Sequence, residues 1–434
     1  MWVVRGDRHP VRGNDGEPNR AAARHRRRPH RGRARRPPRG PPGADPPGPL
    51  MDLTFTEEEE AFRARLRTWL ADVLPKLPPK PAATDWPGRR RHDAAWQRML
   101  YDAGYAGLHW PVDAGGRGAT PTQHLIFLEE TEKAGAPYVG ANFVGLLHAG
   151  PTIAAEGTAA QRARWLPPIL RGDEIWCQGF SEPDAGSDLA ALRTRAVRDG
   201  DAYVVTGSKI WTSHAEVADW CELLVRTDPE APRHRGISWL AMPMDAPGVT
   251  VRPLRTLAGS TEFAEVFLDE VRVPVGHRIG AEHDGWRVTM VTLSFERGTA
   301  FVGEVVACRR VLAELARTAR ANGRWDDAVL RRRLGRLNVE FAALWRLTQW
   351  NVSEAQRTGG VPGTGGSVFK LRYSHARQEL YDAAAEVLGG QALDAAHPWV
   401  ADRLSALSYT IAAGTSQIQR NIVAERILGL PKGR

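Results

Sequence analysis

The periodicity of this chain changes twice, and those two changes constrain its fold more than any other feature. From Met51 to about Asp173 apolar residues recur at helical spacing, with Phe62, Leu66, Trp69 and Val73 on one stripe. Thr56 and Glu59 spell a capping box, and the acids that follow Thr56 sit where the helix dipole favours negative charge. Pro/Gly clusters near 75–88, 111–121 and 135–140 separate further helices. From about Glu174 to His283 the period shortens. AYVVTGSKIWTS, CELLVRT, GISWLAMPM, GVTVRPL and AEVFLDEVRVP are short β-rich runs divided by turn residues, which predicts an antiparallel sheet or small barrel. From about Asp284 the helical period returns: Trp286–Ala321 and Asp326–Arg357 lack proline, and TGGVPGTGGS (358–367) reads as a loop. Ser367–Leu388 and Ser416–Leu428 supply two more helices. The expectation is an α+β multidomain chain: a helical domain over 51–173, a β domain over 174–283 held between helical neighbours, and a four-helix bundle over 284–434.

Charge adds less than it promises. The sequence pI is about 9.8, yet residues 1–50 hold 13 of the 59 basic residues and only 4 of the 50 acids, leaving 46 of each sign beyond them. The basicity belongs to the leader and carries no argument for a nucleic-acid partner. That leader also holds 10 of the 31 prolines, so it forms no core. It has no apolar run of the kind a secretory signal needs, and its prolines oppose the amphipathic helix of a transit peptide. The leader reads as a disordered basic arm, a targeting segment or an over-extended start; Met51 opens a well-patterned helix, which favours a start there. No stretch approaches the ~20 apolar residues of a membrane span. Cys177, Cys221 and Cys308 match no metal spacing and are odd in number, which predicts reduced buried thiols in a cytoplasmic protein and no metal site.

Three motifs carry chemistry. CQGFSEPDAGSDLAALRT (177–194) is an irregular loop of hydroxyls, acids and small hinges, suited to placing donors around a ligand. GSKIWTS (207–213) follows on a β-rich run, and SYTIAAGTSQIQRNIVAERILG (408–429) lies near the C-terminus. Together these resemble the acyl-CoA dehydrogenases, flavoenzymes that desaturate acyl thioesters, and the resemblance spans nearly all of 51–434. It implies FAD as cofactor. Gln178, Phe180 and Ser181 would lie along the isoalloxazine, Trp211 would pack on the ring, and Ser213 would bond near N5. Ser187 would face the CoA part of the substrate. Thr415 and Gln417 in GTSQIQR would contact the flavin of an adjacent subunit, as would Gly389 and Gly390, with Arg320 as a phosphate ligand. Ser416 and Gln419 spell a capping box whose helix N-terminus suits a pyrophosphate. Two positions depart from the family: Glu386 stands where Gln is frequent, and Arg-x-x-Phe-Gly is missing near residue 320.

Many members carry the catalytic Glu directly before the Gly-Thr, and here that position is Ala413. The candidate base is Glu296 in TLSFERGTAF (292–301), which resembles the isovaleryl- and long-chain-type members, with Arg297 beside the CoA. Independently of the family, Thr289, Leu293, Glu296, Ala300 and Gly303 share one helical stripe whose other members are uncharged. A desolvated carboxylate there is a stronger base. The implied reaction removes an α-proton while a hydride leaves the β-carbon for flavin N5, giving a trans-2-enoyl-CoA. The implied acceptor is an electron-transfer flavoprotein, and the implied assembly a homotetramer or homodimer. Two alternatives stay open: an oxidase or flavin-dependent monooxygenase on the same fold, and a non-catalytic subunit of a hetero-oligomer.

Overall fold

The computed structural model of the chain describes residues 54–432 apart from Ala83, Tyr138, Val139, Ala300 and 358–364, and describes residues 296–299 without their side chains. The leader, and with it the expectation that Met51 is the start, lies outside the described residues, as does most of the predicted 358–367 loop.

Five helices come first: α1 (Glu57–Val73), α2 (Trp86–Asp102), α3 (Pro121–Lys133), α4 (Gly150–Glu156) and α5 (Ala159–Arg171). The capping box at α1 forms as spelled, Glu59 N donating to Thr56 Oγ1 at 3.2 Å and Thr56 N to Glu59 Oε2 at 2.8 Å. A π-helical turn, Gly145–Ala149, leads into α4; such turns concentrate at functional sites.

Eight strands follow: β1 (Trp176–Gly179), β2 (Arg195–Asp199), β3 (Ala202–Ser213), β4 (Trp220–Arg226), β5 (Ile237–Pro243), β6 (Val249–Leu254), β7 (Phe263–Pro274) and β8 (Arg278–Ile279). They form one sheet in the order β6-β7-β3-β2-β4-β5-β8, with β1 also paired to β4. The five β-rich runs became β3 to β7. The sheet is not wholly antiparallel, because β1 and β2 each run parallel to β4. Both are short strands reached through loops, and a loop's path sets strand direction without leaving a mark on local alternation.

The last block holds α6 (Gly285–Thr299), α7 (Val302–Ala321), α8 (Ala328–Arg357), α9 (Gly365–Leu388), α10 (Pro398–Ala406) and α11 (Ser416–Ile422). Trp286–Ala321 is thus two helices instead of one. Phe301 leaves helical geometry at φ −109° and ψ 10°, and its ring stacks on Phe369 at 6.3 Å and lies 5.6 Å from Tyr373. Gly298 and Thr299, both weak helix formers, precede the break.

The core also departs from a simple alternation of blocks. Phe62, Leu66 and Leu70 of α1 bury in the same cluster as Leu315, Phe341 and Tyr373 of the bundle. The two helical blocks therefore share a core instead of merely flanking the sheet, since apolar stripes one helix wide bury most surface against each other. One sheet face packs Trp176 and Trp239 against Trp165 and Ile169 of α5. The other closes over Tyr203, Val205, Leu223 and Val271. All three cysteines are buried and free of disulfides, and burial pushes the Cys308 thiol up to about 12.

His109 and His124 stack 4.3 Å apart at 17° between α2, α3 and the π-turn. Burial holds His109 down at about 4 and, helped by the His109 charge, puts His124 well below its ordinary 6.5. Folded, both rings stay neutral where the unfolded chain binds protons, so stability falls as pH drops from about 6.5 toward 4. Replacing His124→Phe is expected to flatten that loss in thermal melts taken between pH 7 and pH 5.

Candidate functional site

The 177–194 motif spans β1 and the loop to β2, and Glu182 is its anchor. The carboxylate accepts from the backbone N of Arg193 (2.6 Å) and Thr194 (2.8 Å) and from Lys209 Nζ (2.8 Å). Lys209, in the middle of β3, also donates to the Phe180 carbonyl at 3.1 Å. Lys209 is 1 % exposed and Glu182 8 %. Burial pulls the ammonium down, and Glu182 opposes it. Burial pushes the carboxyl up, but Lys209 and the Thr194 and Arg193 bonds outweigh it and hold it below its ordinary value. The E of S-E-P and the K of G-x-K are therefore one buried pair that ties the loop to β3. Gly207 belongs to the same device. Its φ is 155°, and a Cβ there would sit 2.7 Å from the Thr194 Cα.

The tie positions the next residues. Ile210 N donates to the Ser181 carbonyl at 3.0 Å, bringing both motifs edge to edge. The β3–β7 register slips between Lys209 and Thr212, and in that bulge Trp211 takes φ 60° and stands 58 % exposed. It is not a core tryptophan, because bulges re-aim side chains. The hydroxyls of Ser181 and Ser213 make no hydrogen bond among the described residues. A flat exposed indole rimmed by unspent hydroxyls fits an isoalloxazine, which needs an aromatic contact and a few polar partners. Phe180 differs from expectation. Its side chain is 4 % exposed and packs in the core with Trp176 and Leu192. Gln178 reaches inward to the fully buried Glu222 at 2.7 Å, and Ser187 is exposed on the loop.

The remaining expected contacts fall into two groups at opposite ends of α9. At its start, Lys370 Nζ donates to the Gly414 carbonyl at 2.7 Å, placing Ala413, Thr415 and Gln417 there. Tyr409, in the same closing motif, donates to Glu304 of α7 at 2.9 Å. The helix cap is Thr415, whose Oγ1 accepts from Ile418 N; the expected Ser416 cap is one residue late. Gln419 does not complete a box and instead donates to the Ala413 carbonyl at 3.2 Å. At the far end, Asn322 Nδ2 donates to the Val387 carbonyl at 2.9 Å, joining the Arg320 end of α7 to Gly389 and Gly390. Arg320 lies over the Trp325 ring at 3.8 Å, and Glu386 pairs with Arg333 at 3.2 Å. The 19 residues from Lys370 to Gly389 span about 28 Å of helix.

Glu296 and Arg297 lie in the last turns of α6; their side chains, and Ala300, are outside the described residues. Upstream on the stripe, Thr289 is fully buried and Leu293 half-buried; beside the stripe, Thr292 is fully buried and accepts from Thr152 of α4 at 2.9 Å. The Phe301 ring beyond it packs on Phe369 and Tyr373, the neighbours of Lys370. The end of α6 and the Ala413 loop therefore meet the same end of α9. A cavity of about 740 Å³ opens elsewhere, between α3, α7 and α8, where Lys133, Arg309 and Trp345 line it, and it includes none of the expected site residues. Among the described residues no cluster of His, Cys, Asp or Glu could hold a metal ion, and no helix is long and apolar enough to cross a membrane.

Glu182, Lys209, Glu222 and His148 had no role in the sequence reading. A lysine inside the run AYVVTGSKIWTS and an acid inside CELLVRT were the available signals, since β-rich apolar runs seldom bury charge.

Comparison with known proteins agrees with this architecture. The chain matches the acyl-CoA dehydrogenase N-terminal domain over residues 56–173, the middle domain over 177–271 and the C-terminal domain over 283–428. It is 39 % identical over 387 residues to acyl-CoA dehydrogenase IpdE1 of Mycobacterium tuberculosis, covering 87 % of this chain and 99 % of that protein. The ChsE4-ChsE5 complex of the same organism superposes with a TM-score of 0.75 at 33 % identity, over 88 % of this chain and all of that one. A structure described as the Tcur3481-Tcur3483 steroid ACAD gives 0.75 at 30 % identity with the same coverage. The chain belongs to the acyl-CoA dehydrogenase family, flavin-dependent oxidoreductases that act on acyl-CoA.

Lys209→Met strands the Glu182 carboxylate in the core, and breaking one side of a buried pair costs about 3–5 kcal/mol. Urea unfolding of the variant is expected to show that loss; a midpoint within error of the parent protein would contradict the anchor role.

Proposed function

We propose that the chain binds FAD and desaturates an acyl-CoA thioester between its α- and β-carbons, with Glu296 as the base for the α-proton. The observation that carries the reading is the convergence at the start of α9. The loop bearing Ala413, where many relatives keep the base, and the end of α6, which bears Glu296, both pack there. The helix segment that bears Glu296 thus ends in the same neighbourhood as the C-terminal loop that lacks a base. Bound FAD supplies the acceptor for the hydride equivalent lost from the β-carbon.

The residues divide the work by position. Trp211 offers its face to the ring, and Gln178, Ser181, Ser213 and the Phe180 backbone form the rim. Ser187 and Arg297 flank the CoA. Thr415 and Gln417 at one end of α9, and Gly389, Gly390 and Arg320 at the other, are too far apart to bracket one nucleotide from a single chain, so the complete site draws on two chains. Homodimer or homotetramer assembly satisfies that. A mixed oligomer does so equally, and the likeness to the ChsE4-ChsE5 complex favours it. In such an assembly the Glu386–Arg333 pair and the Arg320–Trp325 stack leave the far end altered, and a partner chain completes it. The likeness to a steroid ACAD favours a polycyclic acyl group, and electron-transfer flavoprotein is the acceptor that follows from the family.

Positioned general bases contribute about 10²–10⁴-fold to rate. Glu296→Gln is expected to keep the flavin's visible absorbance and lose flavin bleaching by acyl-CoA by that factor. Adding Ala413→Glu is expected to restore part of it, because the second carboxylate enters at the same end of α9. Undiminished bleaching in the single variant would reject Glu296 as the base.

A further inference from the structure

Glu222 is an ionisable side chain buried inside the sheet. It is fully buried on β4, whose adjacent residues Cys221, Leu223, Leu224 and Val225 are all apolar core. Burying a carboxylate costs several kcal/mol even after relaxation, and an aliphatic residue would serve the strand better. Its placement is specific: β1 and β4 run parallel with Gln178 directly opposite Glu222, so the two side chains rise on one face. Gln178 Nε2 lies 2.7 Å from Glu222 Oε1 and 3.3 Å from His148 Nδ1. His148 comes from the π-turn, is 6 % exposed, and has its ring held edge-on by Phe143 at 5.6 Å.

Donor and acceptor chemistry fixes the orientation. With Glu222 ionised its oxygens only accept, so the NH₂ of Gln178 faces it, Nε2 donating to Oε1 at 2.7 Å. The second N–H lies 3.3 Å from His148 Nδ1, which accepts it when the ring carries its proton on Nε2; the same nitrogen is 3.7 Å from Glu222 Oε1, so all three side chains meet at one point. Both hydrogens are spent below the strand. The carbonyl oxygen is left without a hydrogen bond among the described residues and is open to solvent. It stands three residues before Ser181, on the strand that leads into the rim beside Trp211.

We infer that Glu222 and His148 are positioning residues that lock the Gln178 amide with its oxygen outward, making this part of the cleft floor an obligatory acceptor for an imide or amide N–H of the bound ligands. Two sources present such a group: the single ring N–H of an oxidised flavin and the pantetheine amides of acyl-CoA. The inference rests on the flavin and acyl-CoA reading above. It goes beyond that reading by giving Glu222 and His148 a task and Gln178 a fixed polarity.

The test is a double-mutant cycle in the full-length chain, read by flavin titration of the apoprotein and separately by acyl-CoA titration of the flavin-loaded protein. Gln178→Leu is expected to weaken one of the two ligands about tenfold, and which titration moves identifies the source. Glu222→Leu should weaken the same ligand to the same extent. The double variant should be no worse than either single one, because on this inference Glu222 reaches the ligand through Gln178. Glu222→Gln, which keeps volume and a hydrogen-bonding group, guards against loss of folding; it should melt near the parent protein yet weaken binding about threefold, since a second amide no longer dictates orientation. Additive losses, or lowered melting with both affinities unchanged, would overturn the inference while leaving the function standing. A parent chain that takes up neither flavin nor acyl-CoA would overturn both.

Discussion

The structure of the site depends on the ion pair between Glu182 and Lys209. Twenty-seven residues apart, the two are buried together, and each offsets the penalty that burial puts on the other's charge. Around them the carboxylate gathers two backbone N–H groups and the ammonium gathers a carbonyl. An otherwise irregular loop is thereby fastened to the central strand of the sheet. The neighbouring features are measured from that fastening: the Ser181–Ile210 contact, the bulge after Lys209 and the projection of Trp211. A buried pair of this kind is weak evidence of stability by itself; what it secures here is one register between two motifs.

Strain and buried charge gather on the same few residues. Trp211 is held at positive φ in the open, Gly207 makes a contact no Cβ could survive, and Glu222 buries a carboxyl group inside an apolar strand. Folding alone rewards none of these. Residues that break local rules in one place are expected where the surrounding fold over-determines them for a task. By contrast the bundle obeys its rules, with Leu330, Leu334, Leu337 and Phe341 of α8 buried at helical spacing.

Much of this was legible in one dimension. The stripe Phe62, Leu66, Trp69, Val73 folds as α1 with three of the four buried, and AYVVTGSKIWTS has the bounds of β3. The motif letters also marked two stretches that the fold joins, through Glu182 and Lys209. Their roles were less legible: Phe180 turns into the core, Ser416 is preceded by the true cap at Thr415, and Trp286–Ala321 breaks at Phe301. Each of those outcomes depends on what lies opposite, whether the apolar cluster over β1, the Gly414–Lys370 contact, or the aromatic face of α9.

The sequence by itself determined where helices and strands form and which segments carry chemistry, because periodicity, capping and turn residues act over a few positions along the chain. Only the tertiary structure decided that Glu182 meets Lys209, that Gln178 sits over Glu222 and beside His148, and that Ala413 and the end of α6 converge on one end of α9. Those partners are tens to more than a hundred residues apart. Their meeting is set by strand register and helix packing, which depend on the whole buried surface and are written in no single stretch of it.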